Sequence, residues 1–194
     1  AWVTGASSGI GEAIARELVG RGLITLGTDA AEALPGCDVI VSATSSWQHF
    51  LQASDFKSGA LACDVSRPGN LSPALEAERP DVMVIDGGIV AVPGAAELGW
   101  RFGLAQGTAF ACMCEPMILA LRKCYQAAPP GLEVSLDYAA DLDGWARAQG
   151  FRLAMLQSFG RPIGDEAWHR FAARAVPGHP AAPPADRTEQ CQTL

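Results

Sequence analysis

The opening segment of the chain, from Trp2 to Gly22, limits most strongly what it can fold into. A short β-type run ends in a glycine-rich stretch, and an amphipathic helix pattern follows. Gly5, Gly9 and Gly11 allow the backbone to turn tightly and to approach a pyrophosphate, which then rests on the N-terminus of a helix starting near Ile10. The pattern predicts a dinucleotide-binding unit. The alternative is a tight strand-to-helix turn without a ligand.

The same loop contains Thr4, Ser7 and Ser8, and we assign all three to the predicted cofactor site because hydroxyl groups can donate to phosphate. The run TGASSGIGEAIA resembles the opening of the short-chain dehydrogenases, whose catalysis uses a Tyr-x-x-x-Lys pair. Tyr125 and Tyr138 both lack a lysine four residues later. The resemblance to that family therefore covers the cofactor loop and not the chemistry.

Three further apolar, β-rich runs predict the rest of a sheet, at 38–43, 60–65 and 82–85. Each ends in small or turn-forming residues, which is typical of parallel strands covered by helices. Between Gly22 and Asp38 there is only one short apolar run, so the second strand-helix unit of an ordinary nucleotide-binding fold looks shortened. We therefore predict an α/β, Rossmann-like, doubly wound and mostly parallel sheet with a shortened second unit.

Two loops at the ends of these runs are further candidates for cofactor binding, because ligands of open α/β sheets lie at the carboxyl ends of strands. The small residues Ala43, Thr44 and Ser45 suit the ribose or nicotinamide side of a dinucleotide. A second loop follows the 82–85 run and consists of Asp86, Gly87 and Gly88. The glycine pair permits a close approach of the backbone, either to a nicotinamide ring or to another strand.

Composition excludes several classes of function. A net charge of -7 and a pI near 4.9 argue against nucleic acid or an anionic membrane as the main partner. No apolar run approaches the ~20 residues of a membrane span. The six cysteines form no disulfide framework and no pair of metal-binding pairs, so we expect reduced thiols, no metal, and a soluble, cytoplasmic protein.

The chain divides by pattern into a catalytic nucleotide-binding domain at 1–157 and a C-terminal extension at 158–194. A helix is predicted over 136–150 and another over 165–174. The last residues are rich in proline and alanine and lack periodicity, so we expect the extension to be partly disordered. Because the first residue is Ala1 and the first strand is very short, we also expect the chain to be cut from a longer one.

The stretch 108–117, TAFACMCEPM, carries the candidate chemistry. Pro116 suits the first turn of a helix, so we predict a helix beginning near Glu115 with Cys112 in the turn before it. The positive end of the helix dipole favours thiolate there, which would make Cys112 a nucleophile. The alternative is that Cys112 and Cys114 are both small buried hydrophobes.

Three motifs together resemble one family: GGIV at 87–90, FACMCEPM at 110–117 and GFR at 150–152. They are similar to the long-chain acyl-(acyl-carrier-protein) reductases, which form aldehydes and carry a glycine-rich loop, an N-G-G-I-V segment and F-A-C-x-x-E-x-M in this order. The resemblance runs from about residue 2 to about residue 156. The chain departs from the family in lacking its N-terminal acyl-binding region, in its shortened second unit and in a glycine loop one residue longer. It also differs in Ala91-Val92-Pro93 after GGIV and in the tail after Ser158, which has no counterpart in the family.

The resemblance implies a two-step reaction. Cys112 would take the acyl group from an acyl thioester, on acyl carrier protein or coenzyme A, and NADPH would then deliver hydride to the enzyme-bound thioester and release the aldehyde. Glu115 matches the family's glutamate and would orient the thiol or polarise a neighbour. The resemblance alone favours NADPH over NADH, and acyl chain length and oligomeric state stay open.

Two other classes of function remain. The chain could be a dinucleotide-binding module without turnover, in which Cys112 is buried. It could also be a dehydrogenase of a related fold that transfers hydride without a covalent intermediate. One fast-reacting thiol at position 112 would favour the thioester-reducing enzyme over both.

Overall fold

The protein is described by a computed structural model covering residues 2–3, 9–20, 30–99, 102–125 and 135–175. Its first sheet has four strands: β1 (Trp2–Val3), β2 (Val39–Ser42), β3 (Leu61–Asp64) and β4 (Met83–Asp86). All neighbouring pairs in this sheet are parallel. The Rossmann-like α/β class is therefore confirmed, and the three predicted apolar runs each contain one strand.

The strands of this sheet lie in the order β1-β2-β3-β4. In a doubly wound sheet, strands are added first on one side of β1 and then on its other side. The described strands β2, β3 and β4 all lie on one side of β1 and supply one half of such a sheet. The shortened unit predicted after Gly22 falls mostly on residues 21–29, which lie outside the described residues. The next described segment is a four-residue helix, α2 (Ala30–Ala33).

The core of the first sheet lies on one face. Ile40, Ala62 and Val84 are neighbours in register across β2, β3 and β4, and all three are buried. Right-handed crossovers between sequential parallel strands place the connecting segments on one face, and these segments supply the rest of the core. They contribute Leu34, Leu51, Phe56, Leu71 and Leu75.

The segments between these strands are mostly short turns. The helix before β4 is α3 (Leu75–Glu78), with four residues, and the preceding helical turns at 34–36 and 53–55 are 3₁₀. The helices that were expected to cover the parallel strands are therefore short in the connections from residue 30 to residue 82. Side chains from loops and from these short helical segments bury the sheet there.

A second, antiparallel sheet follows directly after β4, and the sequence reading did not predict it. It consists of β5 (Ile89–Ala91), β6 (Thr108–Phe110) and β7 (Arg152–Leu153), with β5 in the centre. Two helices pack on it, α4 (Ala111–Leu121) and α5 (Leu136–Ala148). The central strand β5 connects this unit to the end of the parallel sheet.

The helix α5 has well-defined ends. Ser135 caps its start by accepting a hydrogen bond from the Tyr138 N–H, at 3.3 Å. Gly150 follows its end with a φ of +89°, and a Cβ at that position would lie 3.2 Å from the Pro93 side chain. The predicted helix over 136–150 is therefore confirmed to within two residues.

The chain beyond residue 157 packs against the parallel sheet as far as it is described. A two-stranded hairpin, β8 (Gln157–Ser158) and β9 (Arg161–Pro162), is followed by helix α6 (Asp165–Ala175). The helix predicted over 165–174 is confirmed. The hairpin lies beside β4 and crosses the predicted domain boundary at 157, while the proline-rich segment 176–194 lies outside the described residues.

Candidate active site

The carboxyl end of the parallel sheet meets the start of α4 through the Gly87-Gly88 loop. Gly88 has a φ of +71°, and its carbonyl accepts a hydrogen bond from the Ala111 N–H at 2.7 Å. Directly after this hydrogen bond, Ile89 of β5 pairs with Phe110 of β6 in the antiparallel sheet. Two segments that the sequence assigned to one site, 86–88 and 112–115, are thus neighbours in the fold.

Helix α4 begins at Ala111, four residues earlier than predicted. Phe110 has extended backbone angles and is the N-cap residue, because β6 ends there. The prediction that Pro116 lies in the first turn, with Cys112 ahead of the helix, is therefore wrong. Cys112 is the second residue of the helix, and it remains at the positive end of the helix dipole.

Pro116 lies inside α4 and changes the environment of Cys112 in another way. In a regular helix the N–H of residue 116 would bind the carbonyl of residue 112, but proline has no N–H to donate. The Cys112 carbonyl therefore does not receive the hydrogen bond that residue 116 donates in a regular helix, and it lies next to the exposed thiol of the same residue.

The two neighbouring thiols differ sharply in environment. Cys112 is exposed, whereas Cys114 is 2% exposed and belongs to the core between the antiparallel sheet and its helices. Burial, with a smaller contribution from Cys112, raises the pKa of the Cys114 thiol to about 11. The alternative of a buried cysteine therefore holds for Cys114 and is wrong for Cys112.

Glu115 lies one turn after Cys112, and its carboxylate binds a tyrosine that the sequence reading had set aside. The Tyr138 hydroxyl donates to Glu115 Oε1 at 2.7 Å. This hydrogen bond to the carboxylate, together with burial, raises the pKa of Tyr138 to about 12. The sequence shows Tyr138 only as a tyrosine that lacks the lysine of a Tyr-x-x-x-Lys pair. No spacing in the sequence pairs it with Glu115.

Packing fixes the ring of Tyr138 in this position. It meets the Trp145 ring edge-on, with centroids 6.4 Å apart. The guanidinium of Arg122 lies over the Trp145 ring, 4.4 Å from its centroid. The α4–α5 contact thus holds a carboxylate and a phenol together beside the first turn of α4.

The predicted glycine loop is described in part. Gly9, Ile10 and Gly11 form the first turn of α1 (Gly9–Gly20), so these glycines belong to the helix itself and not to the turn before it. Thr4, Gly5, Ser7 and Ser8 lie outside the described residues. The strand β1 precedes these residues, and the twelve-residue helix α1 begins with them. A strand followed by a helix in this way presents helix N–H groups to a pyrophosphate.

The second predicted cofactor loop is occupied by internal hydrogen bonds. The Thr44 N–H donates to Ser66 Oγ at 3.0 Å, and the Thr44 hydroxyl donates to Asn70 Oδ1 at 2.7 Å. Ala43 is half-buried, and Ser45 is exposed. Of these three predicted residues, the Ser45 side chain is the one that faces solvent.

A buried polar cluster, missed by the sequence reading, explains this arrangement. Asn70 is fully buried, and its side-chain oxygen accepts from the hydroxyls of Ser42, Thr44 and Ser66 at 2.6–2.9 Å. Asp64 is also buried, and its carboxylate accepts three backbone N–H groups, those of residues 66, 70 and 71. The cluster ties the ends of β2 and β3 together.

The third predicted group, Asp86 to Gly88, has structural roles that the sequence left open. The Asp86 carboxylate accepts the N–H groups of Phe159 and Gly160, at 3.2 and 2.7 Å. A Cβ at Gly87 would lie 3.0 Å from Val65 and 3.1 Å from the Cys63 sulfur, so glycine is required there by the neighbouring strand. This favours the packing alternative for Gly87.

A cleft of about 440 Å³ opens where the two sheets meet. Its wall includes Asp86 from the parallel sheet, Phe110 from the antiparallel sheet and three loop residues, Arg67, Phe102 and Phe159. Its size is in the usual range for small-molecule sites, ~300–1,000 Å³. The cleft lies at the carboxyl ends of β3 and β4, where ligands of open α/β sheets bind.

Among the described side chains, no group of three His, Cys, Asp or Glu residues is placed to hold a metal ion. No helix in the described ranges is both long and apolar enough to cross a membrane.

The structure defines the fold class, and comparison with known proteins adds a distant relative. The parallel sheet and its strand-to-helix opening place the chain among Rossmann-like α/β proteins. No family model matches it. The chain is 28% identical over 145 residues to a protein named aminotransferase PigE, from Serratia sp. (strain ATCC 39006), and the match covers 74% of this chain and 17% of that protein.

The chain therefore spans less than a fifth of the length of this relative. The relative's name describes an aminotransferase, which is a different enzyme class from the reductases that the motifs at 87–90 and 110–117 resemble.

Proposed function

We propose that the chain reduces a fatty acyl thioester to the aldehyde, with NADPH as reductant and Cys112 as the covalent acyl acceptor. The observation that carries the proposal is the placement of Cys112. Its thiol is exposed in the first turn of α4, and its neighbour Ala111 is hydrogen-bonded to Gly88 at the end of the parallel sheet. A nucleophile is thus adjacent to the edge where a dinucleotide binds in folds of this class.

The first step is transfer of the acyl group. The Cys112 thiolate attacks the carbonyl carbon of the acyl thioester, a new C–S bond forms, and the bond to the carrier sulfur breaks. The carrier leaves as a thiolate and takes up a proton. The Cys112 sulfur that attacks belongs to the first turn of α4, at the positive end of the helix dipole.

The second step needs a hydride donor, and the described part of the glycine loop fits one. Gly9, Ile10 and Gly11 in the first turn of α1 would hold the pyrophosphate of NADPH, as the parallel β1 and the helix after it allow. When bound, NADPH supplies the hydride that converts the thioester carbonyl to an aldehyde. The bond from that carbon to the Cys112 sulfur breaks, and the thiolate is regenerated.

Glu115 and Tyr138 support the site from one turn away. The hydrogen bond between them holds the Glu115 carboxylate against α5, one helical turn after Cys112 in the chain. In this position Glu115 orients the first turn of α4, and Tyr138 acts through it as a positioning residue.

The activity in the name of the distant relative is chemically compatible with the proposal. Aminotransferases exchange an amino group with a carbonyl group, and an aldehyde is such a carbonyl compound. The match to a protein of that name therefore allows an aldehyde-forming unit within a longer chain.

The decisive experiment is intact-protein mass spectrometry after incubation with an acyl thioester. We expect a mass increase of one acyl group, which Cys112→Ala abolishes while NADPH binding is unchanged. Cys114→Ala is the matched control and should retain the adduct, since that thiol is buried. An adduct that survives Cys112→Ala contradicts the assignment, and a protein that binds NADPH but is never acylated favours the binding module without turnover.

The preference for NADPH needs its own test, because it rests on the family resemblance. Calorimetric titration should give tighter binding of NADPH than of NADH. Equal or tighter binding of NADH would contradict the cofactor assignment and leave the acylation chemistry in place.

A further inference from the structure

The cleft between the two sheets has mainly aromatic and aliphatic walls. Phe102 is 59% exposed and lies beside the Phe110 ring, with centroids 6.5 Å apart. Phe159 and Leu104 line other parts of the same cleft. An exposed phenylalanine at the wall of a cleft leaves apolar surface that a ligand can bury.

Two of these phenylalanines are held in strained backbone conformations. Phe102 has a φ of +43° and Phe159 a φ of +47°, and each is followed by a glycine of positive φ. A bulky residue rarely adopts this conformation, and residues that do so concentrate at ligand sites. In the Phe159 turn, the two successive N–H groups bound by Asp86 hold the strained conformation.

The charged residues of the cleft exclude an anionic occupant. Asp64 and Asp86 both line it, and their carboxylates are already bound by backbone N–H groups. Arg67 is the guanidinium in this wall. It donates to the Ser66 and Gly87 carbonyls, at 2.6 and 3.2 Å, and lies 4.9 Å from the centre of the Phe110 ring. Two carboxylates against one guanidinium disfavour phosphate or carboxylate and favour an uncharged, apolar group.

The cleft is adjacent to the proposed nucleophile. Phe110 lines the cleft and is the N-cap residue of α4, two positions before Cys112. Two residues of chain span at most about 7 Å. A group attached to the Cys112 sulfur is therefore within reach of the cleft.

We propose that this cleft holds the alkyl chain of the acyl group and that Phe102 is a specificity-determining residue that covers the chain. The inference rests on the proposed acylation of Cys112 and adds the place of the substrate's apolar part. Neither the cofactor assignment nor the nucleophile assignment uses Phe102 or Phe159, and Asp86 of the predicted cofactor loop lies in the wall of the same cleft.

The test measures binding separately from chemistry. S-octyl-pantetheine and S-propyl-pantetheine are thioethers, which no thiol can cleave, and their affinities are measured by calorimetry. Wild-type protein should bind the octyl compound more tightly. In Phe102→Gly the octyl-over-propyl preference should fall about tenfold, because hydrophobic subsites discriminate by ~10-fold or more per group.

The choice of variants keeps folding from obscuring the result. Glycine accepts a positive φ without strain, so Phe102→Gly removes the ring and the backbone cost together. Phe102→Tyr keeps the ring and should keep the preference. Phe50→Ala removes another exposed phenylalanine, 38% exposed and outside the cleft wall, and should change nothing.

An unchanged octyl-over-propyl preference in Phe102→Gly would overturn the inference, as would octanoate binding as tightly as the octyl thioether. If the thioethers behave as expected and Cys112 is never acylated by octanoyl-pantetheine, the proposed function fails and the apolar subsite remains. The two failures are therefore distinguishable.

Discussion

The difference between Cys112 and Cys114 gives the sharpest test of the site. A thiol with a pKa of about 11, as for Cys114, has about 300-fold less thiolate at pH 7 than free cysteine, whose pKa is about 8.5. The more basic thiolate is roughly tenfold more nucleophilic, which leaves about a 30-fold lower rate. Because Cys114 is also 2% exposed, 30-fold is a lower limit.

The assay is alkylation with a small excess of iodoacetamide at pH 7, followed by peptide mass analysis against time. Cys112 should be modified at a rate equal to or above that of free cysteine, and Cys114 at least about 30-fold more slowly than free cysteine. Cys112→Ser should remove the fast phase, and Cys114→Ser should leave it unchanged. Modification of Cys114 at the rate of free cysteine in the folded protein would refute the burial argument.

Three further outcomes are expected from stability measurements by chemical denaturation. Gly87→Ala should cost about 1–3 kcal/mol by overpacking against β3, whereas Gly36→Ala, with open space at its Cβ, should cost well under 1 kcal/mol; equal costs would contradict the close approach. Asn70→Ala should cost about 3 kcal/mol, because it orphans buried hydroxyls, and a loss below about 1 kcal/mol would mean that the cluster is hydrated. The hydrogen bond from Arg79 lowers the pKa of Asp81, so the stabilisation of the folded state by this ion pair should be complete above about pH 4 and be lost as the pH falls through the folded-state pKa of Asp81. Asp81→Asn should flatten this dependence of the free energy of unfolding on pH, and an unchanged dependence would show that the ion pair does not contribute to it.

Much of the parallel sheet was predictable because its strands are continuous apolar runs. Each run at 38–43, 60–65 and 82–85 contains a strand within one residue of its ends. Helices α5 and α6 were predictable for the same kind of reason, since their apolar positions recur over three turns. Local pattern was sufficient where one segment carries the whole signal.

The antiparallel sheet and the start of α4 were not predictable from local pattern. Strands of three residues, such as β5 and β6, are defined by their partners and not by their own composition. The start of α4 was misplaced because Pro116 suggested a first turn, whereas the pairing of β6 with β5 ends at Phe110 and fixes the helix start there.

For the candidate site, the exposure of Cys112 was predictable and the side chains around it were not. An exposed Cys112 followed one turn later by Glu115 agrees with the sequence reading. Tyr138, Asn70 and Phe102 come from distant segments, and side-chain pairing across such distances leaves no spacing in the sequence. The internal hydrogen bonds of Thr44 and Asp86 were hidden for the same reason.

The bond between Asp86 and the hairpin turn has a consequence for how the chain tolerates shortening. The strand β4 is the last of the parallel sheet, so one side of it has no strand partner within the described sheet, and the 157–162 hairpin lies beside it. Uncovered edges of this kind pair with other chains and lead to aggregation. A protein ended at residue 157 would lose the turn that Asp86 anchors, and its sheet edge would become a self-association surface even though Cys112, Glu115 and the predicted cofactor loops were still present.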